Sequence, residues 1–497
     1  MTKCIMVQGT MSGAGKSLLT TALCRIFLAD GYRVAPFKSQ NMALNSYITR
    51  DGLEMGRAQV AQAEAAGLEP DVRMNPILLK PSSDTGSQLI VCGEVRGHYS
   101  AREYVDMKKT LVPEVLAAYR GLAAENDIIV IEGAGSPAEI NLREADLVNM
   151  GLAELVNAPV LLAGDIDRGG VFAQLYGTVA LLRPEEQRRI AGLIINKFRG
   201  DVSLLTPGIK QIEEMTGIPV LGVVPYVRAD IDDEDSLAPR LQRQEASRAI
   251  DVAVIRLPHI SNFTDFTPLE EHPALGVRYV DNPDRLGRPD LVVLPGTKST
   301  VSDLLWLRQN GLETAVQHLA ANGTPVLGVC GGYQILGERL SDPHGVEYDG
   351  GGEVRGMGLL PCHTTFSPQK TRTRKQAVAQ SDPFTGAALD GYEIHMGETD
   401  TGGAPPFCLF SDGTPDGAVK GDVFGTYLHG LFDTGELTGR LASYLASRKG
   451  LTLEAAATEP RTAYKQRQYD LLAQAVREAL DIDRIYQVME EYEHAGK

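Results

Sequence analysis

The first half of the chain alternates short apolar runs with longer stretches whose apolar residues recur at helical spacing. The runs Cys4–Val7, Arg33–Phe37, Asp127–Glu132, Pro159–Ala163, Ile190–Ile195 and Val220–Val224 read as strands. Between them, Ser17–Asp30, Met55–Ala66, Ala101–Glu125, Ala145–Leu155, Val171–Leu182 and Leu204–Thr216 read as helices. An unbroken run such as Ile128–Ile131 suits a strand covered on both faces, so the alternation predicts a doubly wound parallel sheet.

The pattern changes after Pro225. Asp230–Ser236 is acidic and turn-rich, and Pro239–Arg248 is polar. A new apolar run, Asp251–Leu257, then opens a second series that continues at Leu291–Leu294, Pro325–Val329 and Val423–Tyr427. The chain is therefore expected to be α/β throughout. Residues 1–228 are expected to form a first α/β domain, 229–249 a linker, 250–435 a second α/β domain and 436–497 a helical C-terminal extension.

Composition narrows the function. A formal net charge of −16 over 497 residues excludes a general nucleic-acid binder, which needs a basic face. The six cysteines contain no C-x-x-C pair, which argues against zinc ribbons and disulfide scaffolds. No leader pattern and no membrane-length apolar run are present, so a cytoplasmic protein with reduced thiols is expected. Assembly into a homo-oligomer is left open.

The strand Cys4–Val7 runs into Gly9-Thr10-Met11-Ser12-Gly13-Ala14-Gly15-Lys16-Ser17 and then straight into a helix. That order builds a phosphate cradle, because the glycines let backbone amides converge on an anion at a positive helix end. Thr10, Gly13 and Gly15 would line the cradle for ATP, Lys16 would reach the terminal phosphates, and Ser17 would hold Mg²⁺. The usual spacing puts glycine where Thr10 stands; here it is one residue earlier, at Gly9. This longer loop resembles that of dethiobiotin synthetase and its relatives, ATP enzymes that activate carboxylates.

Other polar groups fall at the ends of the predicted strands, where doubly wound sheets bind ligands. Glu132 is a natural Mg²⁺ ligand or water-orienting carboxylate. Lys38, followed by Gln40 and Asn41, could face the same crevice and act on substrate or in phosphoryl transfer. Asn196 follows Leu193–Ile195, where an amide can meet an adenine edge as donor and acceptor together.

In the second half, Gly328-Val329-Cys330-Gly331-Gly332-Tyr333-Gln334 has glycine on both sides of a cysteine between strand and helix. That is the requirement of a nucleophile elbow. His429, just after Val423–Tyr427, is the expected base, and the pair would release an amine through a thioester. His395 is the competing base, with structural packing its preferred reading. The basic run Lys370–Lys375 reads as a solvated hairpin rather than a grip on substrate carboxylates.

Longer segments carry a specific resemblance. Gln40–Ser46, Glu132–Leu142, Asp165–Phe172 and Gly391–Gly397 resemble the cobyric acid synthase family, a glutamine-dependent amidase of the cobalamin pathway. The resemblance runs from the phosphate loop to His429. It implies a second domain of the class I glutamine amidotransferase type, with L-glutamine as nitrogen donor, ATP and Mg²⁺ as cofactors and adenosylcobyrinic acid a,c-diamide as acceptor. It also implies that the amides of Gly296 and Gly331 form an oxyanion hole. Most class I members carry a glutamate two residues after the histidine; here Leu431 stands there. The expectation is therefore a Cys330–His429 dyad with no third member.

Overall fold

The six strands expected in the first half form one parallel sheet. Its order is Val220–Pro225, Ile190–Phe198, Val160–Asp165, Lys3–Gly9, Ile128–Glu132 and Val34–Phe37. Lys3–Gly9 lies inside it, with Met6 opposite Val160 on one side and Ile131 on the other. Ile5, Met6 and Val7 are fully buried, as unbroken apolar strands flanked by helices must be. Because all six strands run the same way, the phosphate loop, Lys38, Glu132, Asp165 and Asn196 gather at one end of the sheet. The computed structural model describes residues 2–81, 86–232, 239–242, 248–348, 351–453 and 461–495. Much of the expected linker, including the acidic residues 233–236, thus lies outside the described residues.

One expected helix is divided and another is shortened. Ala101–Glu125 splits into Ala101–Lys108 and Val112–Glu125 around a 3₁₀ turn. Pro113 sits in the first turn of the second piece, where its missing N–H is not needed. Ala145–Leu155 shortens to Met150–Leu155, because the Asp146 carboxylate captures the amides of Val148, Asn149 and Gly151 in a turn. A four-stranded sheet of Gln40–Met42, Ile77–Pro81, Gly86–Val91 and Glu94–Ser100 was not anticipated.

The chain forms two compact units that are not contiguous in sequence, unlike the division at 228, 249 and 435. The first comprises Met1–Met42, Glu54–Asp232 and Tyr464–Lys497; the second comprises Ala43–Leu53 and Asp233–Ala463. Helices Arg461–Ala479 and Ile482–Ala495 bury Tyr469, Leu472, Val476, Ile485, Val488 and Met489 in the same core as Leu23 and Phe27. Ion pairs Arg25–Asp470 and Arg477–Asp30 border that contact, in which hydrophobic burial is the dominant stabilisation.

The second unit has its own sheet, in the order Leu275–Val280, Ile250–Ile255, Leu291–Leu294, Val326–Val329, Val423–Thr426 and Ala418–Lys420, parallel except for the last strand. A long antiparallel pair, His363–Ala379 with Ala388–Asp400, contains the basic run and reaches Leu428–His429 through Tyr392 opposite His429. Ala43–Leu53 packs within this unit: the Ser46 carbonyl accepts from Asn262 Nδ2 at 3.2 Å and Tyr392 Oη at 3.1 Å. No helix among the described residues is long and apolar enough to cross a membrane.

Candidate active sites

The phosphate loop turns on two left-handed glycines, Gly13 at φ +76° and Gly15 at φ +94°. At Gly15 a side chain is excluded twice, since a Cβ would also fall 2.2 Å from Asn196 Nδ2. Thr10 donates through its amide to Ala163 O at 2.9 Å and through its hydroxyl to Gln174 Oε1 at 3.1 Å. Lys16 Nζ bridges the loop to the neighbouring strand end, donating to Met11 O at 3.2 Å and Gly135 O at 3.1 Å.

Glu132, 1% exposed, is the centre of this site. Its Oε1 accepts from Ser17 Oγ and Lys38 Nζ, each at 2.8 Å, and its Oε2 accepts from Gln62 Nε2. Burying a carboxylate costs several kcal/mol unless it is matched in this way. The Ser17 hydroxyl and Glu132 carboxylate are hard oxygen donors at the head of an anion cradle, a donor set that suits Mg²⁺ between protein and phosphates. Among the described residues no group of three or more His, Cys, Asp or Glu converges as a metal site.

Asn196 lies in the strand Ile190–Phe198, beside the phosphate loop. Its Nδ2 donates to Ala14 O at 2.8 Å and its Oδ1 accepts from the Lys197 amide at 2.9 Å. The Nδ2 end braces the loop, and each end of the amide keeps one further hydrogen-bonding position. Lys197, not anticipated, takes a left-handed φ of +62° and sends Nζ to Gly13 O at 2.5 Å and Asp165 Oδ2 at 2.8 Å. Gln40 and Asn41 do not reach Glu132 in the described contacts: Gln40 accepts from Tyr104 Oη at 2.6 Å, and Asn41 donates to Gln59 at 3.0 Å.

The second unit builds a different site. Cys330 stands between Val326–Val329 and the helix Gly331–Leu336 at φ 51°, ψ −111°, a conformation a non-glycine residue holds only under tight surroundings. Those surroundings are visible: a Cβ on Gly332 would fall 2.0 Å from Leu294 O, and the Cys330 amide donates to Thr426 O at 2.8 Å. Cys330 Sγ donates to Ile394 O at 3.5 Å, and Cys330 and the His429 imidazole interact electrostatically. Gly296 and Gly331 border the same place. A Cβ on Gly296 would lie 3.0 Å from His429 Cε1, and one on Gly331 would lie 2.6 Å from Thr297 Cγ2.

The histidine has a third partner. Its Nδ1 donates to Asp265 Oδ2 at 2.6 Å, while Asp265 Oδ1 accepts from the Gly430 amide at 3.0 Å. His429 and Asp265 are 1% and 4% exposed. Burial would lower the imidazole pKa, but the charges of Asp265 and Cys330 outweigh it and push the value up to about 10. The expectation of a dyad with no third member is corrected: a carboxylate from the turn Phe263–Phe266 occupies the orienting position.

Two family models match the chain. Residues 5–237 match the family model of the CobQ/CobB/MinD/ParA nucleotide binding domain, and residues 251–437 that of the CobB/CobQ-like glutamine amidotransferase domain. The chain is 55% identical to a cobyric acid synthase of Ruminiclostridium cellulolyticum, over 99% of this chain and 98% of the relative. The chain belongs to the cobyric acid synthase family. Cobyric acid synthases of Lachnoclostridium phytofermentans and Photorhabdus laumondii are 53% and 52% identical, over 99% and 98% of this chain and 100% and 98% of their own lengths.

As a member of the cobyric acid synthase family the protein is an enzyme, a ligase that joins a nucleotide-binding domain to a glutamine amidotransferase domain. Three polar groups of its two sites escaped the sequence reading. Gln62 and Lys197 had visible signals, a polar residue in a helix beside the phosphate loop and a lysine next to Asn196. Asp265 had none in its own segment; only the missing glutamate at Leu431 hinted that another carboxylate was required.

Proposed function

We propose that the enzyme amidates the b, d, e and g carboxylates of adenosylcobyrinic acid a,c-diamide, consuming ATP with Mg²⁺ and taking nitrogen from L-glutamine. The observation that carries this reading is similarity along the whole chain to proteins named cobyric acid synthase.

The physical logic assigns one half-reaction to each unit. A carboxylate is a poor electrophile, and ATP, when bound, supplies the phosphoryl group that converts it to an acyl phosphate. Around that transfer, Lys16 and the loop amides stabilise charge on the phosphates, and Ser17 and Glu132 present oxygen ligands for Mg²⁺. Lys38, bound to Glu132, would hold the acceptor carboxylate against the loop. In the other unit Cys330 Sγ bonds to the amide carbon of glutamine, and the tetrahedral oxyanion is held by the amides of Gly296 and Gly331. His429 gives its proton to the departing nitrogen as the C–N bond breaks. The neutral imidazole then takes a proton from water, which hydrolyses the thioester to glutamate.

The test is to supply the a,c-diamide with glutamine and Mg-ATP and follow the product by mass. Four amidations are expected, each lowering the mass by about one dalton as OH becomes NH₂; arrest at another number contradicts the reading. The division of labour predicts that Lys16→Met lowers amidation with added ammonia about 100-fold, the scale of losing one preorganised charge donor. Glutamine hydrolysis without acceptor should stay within about twofold of wild type.

A further inference from the structure

The two residues whose amides are assigned to the oxyanion, Gly296 and Gly331, meet at one buried side chain. Thr297 follows Gly296 directly, and its methyl lies against Gly331, where a Cβ would fall 2.6 Å from Thr297 Cγ2 and 3.1 Å from Thr297 N. The Thr297 hydroxyl donates to Asp303 Oδ2 and accepts from the Ser299 amide at 3.1 Å. A β-branched side chain whose hydroxyl is bound has its χ1 fixed, so its methyl cannot swing away from Gly331. Thr297 is thereby a spacer between the two donors.

Asp303, which anchors that hydroxyl, is fully buried in the first turn of the helix Thr300–Gln309. A carboxylate in such a place must have its oxygens matched by donors. Besides Thr297, Asp303 Oδ2 accepts from the His259 amide at 3.2 Å, and Oδ1 accepts from His259 Nδ1 at 2.8 Å. The segment that starts at His259 is tied to the oxyanion loop at two further points. Ser261 N donates to Gly296 O at 2.9 Å, and Lys298 N donates to His259 O at 3.0 Å. The same segment ends at Asp265, the carboxylate that orients His429. Asp303 thus stands behind a frame that carries both the oxyanion donors and the partner of the base. No step proposed above uses it.

We propose that Asp303 is a positioning residue of the glutaminase: by fixing the Thr297 hydroxyl and the His259 segment, it sets the spacing of the Gly296 and Gly331 amides. It acts through Thr297 and His259, not on the substrate itself. Preorganised donors stabilise an oxyanion only when they are aimed at the place where its charge develops. A loosened Thr297 therefore costs the tetrahedral intermediate more than it costs the bound amide. This inference rests on the reading in which Cys330 and His429 hydrolyse glutamine and those two amides receive the oxyanion.

Asp303→Asn keeps the shape and turns one acceptor into a donor, whereas Thr297→Val keeps the methyl against Gly331 and removes only the hydroxyl. Each is expected to lower kcat for glutamine hydrolysis at least about tenfold, towards the roughly 100-fold scale of a misplaced group, with KM within about twofold. The discriminating probe is L-glutamate γ-semialdehyde, to whose carbonyl carbon Cys330 Sγ adds, placing a tetrahedral oxygen between the same amides. Its inhibition constant should rise by the same factor as kcat falls. Alkylation of Cys330 by iodoacetamide, which displaces iodide and builds no oxyanion, should keep its rate within about twofold. The double variant should lose far less than the product of the two single losses, because Asp303 acts through Thr297. The proposal is overturned if hydrolysis falls less than about tenfold in a folded Asp303→Asn enzyme, if the aldehyde binds as in wild type, if alkylation slows together with hydrolysis, or if the two losses multiply. Where Asp303→Asn does not fold, Thr297→Val carries the same test. Hydrolysis of glutamine by Cys330→Ser, or a wild-type enzyme that does not bind the aldehyde, would instead overturn the underlying reading.

Discussion

Cys330→Ser is expected to lower glutamine-dependent amidation by about 10⁴-fold or more, while amidation from added ammonia stays within about threefold of wild type. Serine fits the elbow, since the backbone at φ 51°, ψ −111° is held by Gly332 against Leu294 and by the amide bond to Thr426, neither of which involves sulfur. The loss is therefore chemical. A hydroxyl has a pKa far above that of a thiol, and the site has a buried histidine whose protonated form is stabilised chiefly by Asp265. Such a histidine suits thiolate chemistry and is a weak base for a hydroxyl. Ammonia would bypass this step, because the proposed acyl phosphate would form at the phosphate loop of the other unit. Initial rates of glutamate and amide formation with each nitrogen source decide the matter. Loss with both sources would show that the two half-reactions are not divided between the units.

The parts legible in the sequence were those where one short segment carries the whole physical requirement. Ile128–Ile131 and Leu291–Leu294 are strands because each is unbroken and apolar, and both are fully or almost fully buried. Gly13, Gly15 and the glycines around Cys330 announce turns that other residues resist. Half-exposed segments were harder. Glu94–Ser100 forms an edge of its small sheet and has no apolar face to betray it. The C-terminal helices were legible as helices, but nothing in their spacing tells that Tyr469 and Ile485 would share a core with Phe27. Asn196 takes its weight from its place in the order of the domain, and that order does not disclose that its Nδ2 braces Ala14.

Asp265→Asn is expected to lower glutamine hydrolysis by about 10³- to 10⁴-fold, the scale seen when a triad carboxylate becomes an amide. Asp265 approaches His429 from 164 residues earlier in the chain, where no local pattern marks it. Asparagine retains an oxygen for the Gly430 amide, so the turn should persist. Its NH₂, however, would face Nδ1, which then must accept; the proton moves to Nε2, and the imidazole can no longer act as base on the side facing sulfur. The charge effect has a definite sign. Against burial, Asp265 and Cys330 raise the pKa of His429 and hold the imidazolium through neutral pH. Removing the carboxylate lets burial prevail and the pKa falls. Residual activity that depends on protonated His429 should thus lose its alkaline limb at lower pH than in wild type, whereas ammonia-driven amidation keeps its profile. Asp265→Ala should match Asp265→Asn in rate, because both remove the charge and the orienting acceptor. Glutaminase within tenfold of wild type in a folded Asp265→Asn enzyme would return the site to a dyad. Full rescue by Asp265→Glu is not expected, since the added methylene drives a carboxylate already 2.6 Å from Nδ1 into a buried ring that also stacks on Tyr392.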